Sequence, residues 1–196
     1  MSAGIAGILL AAGQGRRFGS NKLLHKLDDG TPMVLASARH LRNALPRTLA
    51  VVAEANDDVA QLLAAEGMEV VVNAQASAGM GTSIACGVTA SRDAQGWLVA
   101  LGDMPFVPEP VIAELAIRLA GGAELVAPVY RQRRGHPVGF SARYAAALTG
   151  LQGDTGAREI LAAHSGSLQC LTVDDSGVLM DIDTPDQRPE RRRPAS

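Results

Sequence analysis

Aromatic residues, cysteines, charge of one sign and long apolar runs are all scarce in this chain, and each scarcity removes a class of protein. Of its 196 residues only 3% are aromatic while 47% are hydrophobic, so a core has to be assembled from Ala, Val, Leu and Ile. The two cysteines, Cys86 and Cys170, stand far apart with no cluster of other ligands near either. That excludes a disulfide framework or a zinc site, which need close, repeated spacing, and leaves both thiols as small buried fillers. The formal net charge of −2 and a sequence pI near 6.1 speak against a dedicated nucleic-acid binder with a basic surface. The first apolar run, Ile5–Ala12, is too short to cross a membrane and ends in a loop rather than a cleavage-like site. A soluble cytoplasmic protein is expected, of a length that suits one full-sized domain and is cramped for two.

What the chain does have is a rhythm of strand then helix. Ile5–Leu10 reads as a buried strand and Pro32–Leu45 as a helix with proline near its start. Thr48–Ala53 is a second strand, Asp57–Glu66 a helix ending at Gly67, and Glu69–Val72 a third strand. A glycine-rich loop leads to a helix from about Thr82 to Ala94, then a strand Trp97–Leu101, a helix Pro108–Ala120 and a strand Leu125–Tyr130. This alternation predicts an α/β fold: a Rossmann-like three-layer sandwich with a mostly parallel sheet between helices. Ligands of such sheets bind beyond the carboxyl ends of the strands. The loops after Leu10, Val72 and Leu101 all lie there, so three distant parts of the sequence converge on one site.

After Tyr130 the pattern changes. Arg131 to Pro137 reads as a turn between extended segments, the second being Val138–Phe140. Short helices at about Ala142–Leu148 and Thr155–Ala163 and strands at Leu168–Val173 and Val178–Met180 complete a subregion of about residues 131–180. One domain is expected over residues 1–187, followed by an Arg- and Pro-rich tail, 188–196, expected to be disordered.

The first loop carries the strongest chemical signal. Gly13, Gly15 and Gly19 let main-chain N–H groups approach an anion, and Arg16, Arg17 and Lys22 can neutralise it. The spacing G-x-G-x-x-x-G is not a dinucleotide fingerprint, and Lys22 is followed by Leu rather than the Ser or Thr of a Walker loop. A triphosphate site is favoured over a solvent-facing basic turn, with Lys22 as the leading cation at the transferring phosphorus. Asp103 sits just past a buried strand, where a carboxylate can hold Mg²⁺ against phosphates or simply cap a turn before Pro105. Asp181 and Asp183 alternate on an extended segment and can share a face, although Asp183 or Thr184 could also cap a helix. In Gly79-Met80-Gly81-Thr82-Ser83 the glycines open space, and Thr82, Ser83 and backbone amides can hydrogen-bond a base and ribose; Ser83 could instead cap the helix. Asp154 reads as a helix N-cap, with Arg158 in the first turn as either an acceptor-phosphate contact or a solvated side chain.

Leu10-Ala11-Ala12-Gly13, then Arg17-Phe18-Gly19 and Lys22, resembles the signature of nucleotidyltransferases that activate phosphorylated acceptors with a nucleoside triphosphate. Gly79-Met80-Gly81-Thr82-Ser83-Ile84, Leu101-Gly102-Asp103-Met104-Pro105, Gly135-His136-Pro137-Val138 and Asp181-Ile182-Asp183-Thr184-Pro185 follow in the order seen in the molybdenum cofactor cytidylyltransferases. The resemblance spans roughly residues 5 to 187. It implies a fold like that of the nucleotide-diphospho-sugar transferases. It also implies nucleotide binding by Leu10, Ala11, Ala12, Gly13, Lys22, Gly79, Gly81, Thr82, Ser83 and Asp103, a metal on Asp103 and Asp183, and an acceptor side at His136 and Arg158. Relatives that use GTP tend to carry a second glycine where this chain has Ala12, which favours CTP.

The implied reaction is attack on the α-phosphorus of Mg²⁺-bound CTP by the terminal phosphate of molybdenum-loaded molybdopterin. The products are the cytosine dinucleotide form of the cofactor and pyrophosphate, with a recipient molybdoenzyme as a further partner. Lys22, Arg17 and Asp103 are the catalytic candidates. The residues alone support only metal-assisted nucleotidyl transfer. GTP as donor, a sugar or polyol phosphate as acceptor, a nucleotide-dependent oxidoreductase and a non-catalytic cofactor-delivery protein remain open.

Overall fold

The computed structural model describes residues 3–13, 21–54 and 57–182. Parallel strands β1 (Ala3–Leu10), β2 (Arg47–Val52), β3 (Glu69–Val72) and β4 (Ala94–Leu101) take the order β3-β2-β1-β4. Their connections are α1 (Met33–Ala44), α2 (Asp58–Ala65) and α3 (Met80–Ala90), the crossover pattern a parallel sheet requires. After α4 (Glu109–Ala120) the sheet continues with β5 (Leu125–Tyr130), the two-residue β6 (Arg133–Arg134) and β7 (Val138–Ser141). Strand β7 slots antiparallel between β4 and β5. Two short helices, α5 (Ala145–Thr149) and α6 (Arg158–Ala163), precede β8 (Leu168–Thr172), which pairs parallel with β5. The result is a single-domain α/β structure on one mostly parallel, mixed sheet of eight strands.

Alternation along the strands divides the core into two layers. Leu9 and Leu98 point to the face covered by α1, α2 and α4, joining Leu41, Leu63 and Leu115. Ile8, Trp97 and Val99 point to the opposite face with Ile84 and Val88 of α3, Leu148 of α5 and Leu161 of α6. Helix α1 buries Val34, Ala38 and Leu41, one stripe at helical spacing, against the first face. With so few aromatics the second layer centres on Trp97, fully buried, whose indole N–H donates to Ser91 Oγ at 3.0 Å. Among the described residues no helix is long and apolar enough to cross a membrane.

Several expectations are corrected. The segment expected as strand Val178–Met180 is a turn of 3₁₀ helix, Ser176–Leu179, because Asp175 accepts the Gly177 N–H at 2.7 Å and closes the chain on itself. Helix α3 begins at Met80, two residues before the expected start, and ends at Ala90. Ser83 therefore lies inside the helix rather than at its cap. Asp154 is not an N-cap either: α6 starts at Arg158 with Ala157 in the cap position. Both thiols are free; Cys86 is half-buried at the margin of the second layer rather than fully buried, and Cys170 is exposed and fills nothing.

Candidate active site

The carboxyl ends of β1 and β4 are neighbours, with Leu10 opposite Leu101, and the chain leaves both strands through linked turns. The Ala11 N–H donates to the Val51 carbonyl at 2.8 Å and the Gly102 N–H to the Leu10 carbonyl at 3.0 Å. The loops after β1, β3 and β4 surround a cavity of about 460 Å³ at this edge of the sheet. Of the expected nucleotide-site residues, Leu10, Ala12, Gly13, Lys22, Gly79, Ser83 and Asp103 line it.

Lys22 opens a single 3₁₀ turn, Lys22–Leu24, which forms because Asn21 Oδ1 accepts the Leu23 N–H at 3.2 Å and Leu23 is buried beneath it. That anchor holds the Lys22 ammonium 3.0 Å from Asp103 Oδ2, with the side chains 13% and 27% exposed. An opposite pair at that distance and shielding is a preset charge arrangement that an incoming polyanion and cation can rearrange. The Asp103 turn is itself tied down twice. Ser37 Oγ donates to the Gly102 carbonyl at 3.1 Å, and the Ile182 N–H donates to the Asp103 carbonyl at 3.1 Å. The chain segment carrying Asp181 and Ile182 is thereby fastened to the carboxylate loop, with Asp181 exposed and Ile182 buried. Asp183 and Arg17 lie outside the described residues, as do Arg16 and the tail.

Across the cavity, the loop after β3 is organised by Asn73, a buried amide that the sequence reading does not single out. Its Nδ2 donates to Thr82 Oγ1 at 2.9 Å and Ser83 Oγ at 3.0 Å, and its Oδ1 accepts the Gln75 N–H at 3.0 Å. Thr82 is spent on the loop, with Oγ1 2.8 Å from the Gly79 carbonyl; it does not line the cavity, whereas Ser83 does. Gly79 has φ of 115°, a left-handed conformation that disfavours a side chain. The Gly81 N–H donates to the Gly153 carbonyl at 2.8 Å, which brings Asp154 to the cavity wall. The only sequence sign of that role is the pair of glycines bracketing Asp154, at Gly153 and Gly156, both with positive φ.

The two expected acceptor residues do not reach the cavity wall. Arg158 is exposed on the first turn of α6. His136 precedes a cis peptide bond to Pro137 and lines a separate small cleft with His40, Ser37 and Met104, behind the Asp103 turn. The Nδ1 atoms of His136 and His40 are buried without hydrogen-bond partners among the described residues. Burial pushes the His136 imidazole below the ordinary histidine range. The Asp103 carboxylate opposes this, the Arg134 guanidinium adds to it, and a hydrogen bond with the Val99 backbone opposes it. Among the described residues no three His, Cys, Asp or Glu side chains cluster as a ready metal cage.

The sequence and the fold resemble those of known proteins. Nicotine blue oxidoreductase from Paenarthrobacter nicotinovorans is 30% identical over 93% of this chain and 94% of its own. Molybdenum cofactor guanylyltransferase from Rhodobacter capsulatus is 36% identical over 57% of each chain. Among solved structures, Rv0371c from Mycobacterium tuberculosis superposes with TM-score 0.79 at 27% identity, over 94% of this chain and 95% of that one. Its complex with manganese matches with TM-score 0.69 at 25% identity, over 89% and 90%. A nucleotidyl transferase from Methanothermobacter shares the fold, with TM-score 0.77 at 21% identity over 91% of both chains. Residues 7–168 match the family described as the MobA-like NTP transferase domain, and the chain belongs to that family of nucleotidyltransferases.

Proposed function

We propose that this protein transfers CMP from CTP to molybdenum-loaded molybdopterin in the cytoplasm, releasing pyrophosphate and the cytosine dinucleotide form of the cofactor. The observation that carries the reading is the Lys22–Asp103 pair, 3.0 Å apart on the wall of a cavity also lined by the glycine-bearing loops after β1 and β3. The relative named as a molybdenum cofactor guanylyltransferase supports the acceptor class.

The terminal phosphate of the acceptor is its own nucleophile. With a second pKa of about 6 it is largely dianionic near neutral pH, so no general base is required. Its oxygen bonds to the α-phosphorus as the bond from that phosphorus to the bridging oxygen of pyrophosphate breaks. Lys22 and Arg17 hold and neutralise the phosphate oxygens, and the loop amides after Leu10 orient them. A divalent ion, Mg²⁺ in this reading, would be held by Asp103 and Asp183 and would supply further charge neutralisation on the phosphates. The donor set fits it: Asp103 offers hard oxygen at the cavity wall, and Mg²⁺ uses only one or two protein carboxylates beside substrate oxygens. The manganese complex of Rv0371c supports a divalent cation.

CTP is assigned from Ala12, which lines the cavity. Competition among CTP, GTP and ATP with the molybdenum-loaded pterin as acceptor tests the assignment, reading pyrophosphate release. CTP should dominate, and preference for GTP overturns the argument from Ala12 while leaving the transfer chemistry in place. The similarity to nicotine blue oxidoreductase favours a second reading, nucleotide-dependent oxidoreduction. A reduced-nicotinamide absorbance change without pyrophosphate release would establish it instead.

A further inference from the structure

The cavity has two chemically different sides. On one, Lys22 and Asp103 form an ion pair beside Gly13; on the other, Asp154 lies over the Gly79–Ser83 loop. This second placement is built from backbone contacts. The Gly81 N–H donates to the Gly153 carbonyl at 2.8 Å. A Cβ at Gly79 would fall 2.3 Å from the Gly153 carbonyl carbon and 2.5 Å from Asp154 Oδ1, and one at Gly81 would fall 2.8 Å from the Gln152 carbonyl oxygen. The loop bearing Asp154 thus rests directly on the loop after β3, with no room for a side chain between them.

Asp154 is exposed at the cavity wall and has no hydrogen-bond or ion-pair partner among the described residues, and the one cation lining the described cavity, Lys22, is engaged by Asp103. An ionised carboxylate only accepts hydrogen bonds. It repels a triphosphate with no cation beside it to offset that, whereas Asp103 is paired with Lys22, so the tail is favoured on the Lys22 side and the nucleoside on the Asp154 side. We propose that Asp154 is a specificity-determining residue for the nucleotide, accepting a hydrogen bond from a nucleoside donor group: the exocyclic amine of the base or a ribose hydroxyl. The inference rests on the nucleotidyltransferase reading above. Where the donor is the base amine, Asp154 discriminates against uracil, which presents an acceptor oxygen where cytosine presents an amine.

Calorimetric binding of Mg²⁺-bound CTP, UTP and 2′,3′-dideoxy-CTP to the full chain tests this, for wild type, Asp154→Ala and Asp154→Asn, with inorganic tripolyphosphate as the control for an intact phosphate side. Asp154→Ala should weaken CTP about tenfold, the usual scale for losing a hydrogen bond to a charged group, and leave tripolyphosphate unchanged or slightly tighter. Asp154→Asn, which keeps an acceptor oxygen, should recover part of the loss. If the base amine is the donor, UTP is weak in wild type and unaffected by the substitution. If a ribose hydroxyl is the donor, dideoxy-CTP behaves that way instead. Gly79→Ala, which pushes the Asp154 loop outward, should reproduce the Asp154→Ala pattern. Equal weakening or equal tightening of all three nucleotides in Asp154→Ala overturns the assignment. Wild type that binds no nucleotide overturns both this inference and the function beneath it; wild type that discriminates, with Asp154→Ala discriminating as well, overturns only the former. Should wild type prefer GTP, the CTP reading fails alone, and inosine triphosphate, which lacks the exocyclic amine, takes the place of UTP.

Discussion

The stretch from β1 to β4 and the stretch after Tyr130 build the same sheet by different means. In the first, helices meet strands through side chains: Gly87 of α3 faces Ile8 Cγ2 and Val51 Cγ2, at 2.7 and 3.1 Å from where a Cβ would stand. In the second, Gly139 is likewise packed by side chains, but at two loops backbone meets backbone. A Cβ at Gly135 would fall 2.2 Å from the Val178 carbonyl oxygen, and one at Gly177 would fall 2.0 Å from the Phe106 carbonyl oxygen. The first region carries the Lys22–Asp103 pair, and the second holds its surroundings in place, through Ile182 on Asp103 and Gly153 on Gly81. The ion pair is therefore carried by one end of the chain and braced by the other, which also brings Asp154 to the cavity wall.

The sharpest way to break that division is to remove the chemistry and leave the scaffolding. Asp103→Ala and Lys22→Met should each lower the rate of pyrophosphate release by about 10²- to 10³-fold, the scale seen when one preorganised electrostatic contact to a reacting group is lost. The melting temperature should stay within a few degrees, because both side chains sit at the cavity wall rather than in the core. A rate loss below tenfold for both would remove this pair from the reacting centre.

Substituting glycine tests the scaffolding. Gly177→Ala should destabilise by about 3 kcal/mol in denaturant titration, since the obstacle is a backbone carbonyl that cannot rotate away. Gly87→Ala meets only side-chain methyls and gains helix propensity of about 1 kcal/mol, so its net cost should be about 1 kcal/mol or less. Gly166→Ala meets nothing within 4 Å and should stay within about 0.5 kcal/mol of wild type. Equal costs at Gly177 and Gly87 would erase the distinction between the two regions.

The same distinction explains what could be read from the amino-acid sequence. Strands β1 to β5 and their helices announce themselves by apolar periodicity and caps, as Asp57 does at α2 by accepting the Ala60 N–H at 2.6 Å. Lys22, Asp103, Gly79 and Ser83 could be placed at one cavity because the carboxyl ends of parallel strands must share an edge. The later region is specified by contacts between residues far apart in sequence, which leave no periodic trace. Val178 looks like strand because it is β-branched and apolar, yet it is buried in a 3₁₀ turn whose carbonyl accepts the His136 N–H at 2.9 Å. Asp154 has the composition of a cap and the position of a site residue; Asn73 has the composition of a loop and the burial of a core residue.

Where the regions touch, pH should loosen them. His136 belongs to the later region and packs behind the Asp103 turn, sharing its cleft with His40. Its imidazole titrates below the ordinary histidine range chiefly because it is desolvated, against the pull of Asp103 and with the push of Arg134. A depressed folded-state pKa means the unfolded chain takes up the proton first. This contribution is therefore neutral to stability above about pH 6.5 and becomes a penalty as pH falls through that value toward the folded-state pKa. Unfolding free energy should decline from pH 7 to pH 5, and His136→Gln should flatten that decline by up to about 1.4 kcal/mol for each unit of pKa depression. An unchanged slope in the variant would show that His136 is not the linked group.

The smallest effect on catalysis should come from Ser83, and its size separates a wall residue from a reacting one. Its hydroxyl accepts from Asn73 Nδ2 at 3.0 Å, but Thr82 accepts from the same amide at 2.9 Å, so Ser83→Ala leaves that nitrogen partnered. The helix around it is already formed by Met80, and no cap is lost. What remains to lose is at most one neutral hydrogen bond to the nucleoside, about 1 kcal/mol, which corresponds to a KM for nucleotide raised about fivefold with kcat nearly constant. Thr82→Ala should act differently although it never reaches the cavity. It removes the hydroxyl that braces the loop at the Gly79 and Gly81 contacts with Gly153, so both stability and nucleotide KM should suffer. A Ser83→Ala variant that lost kcat as steeply as Asp103→Ala would instead place the reacting phosphorus on the Asn73 side of the cavity.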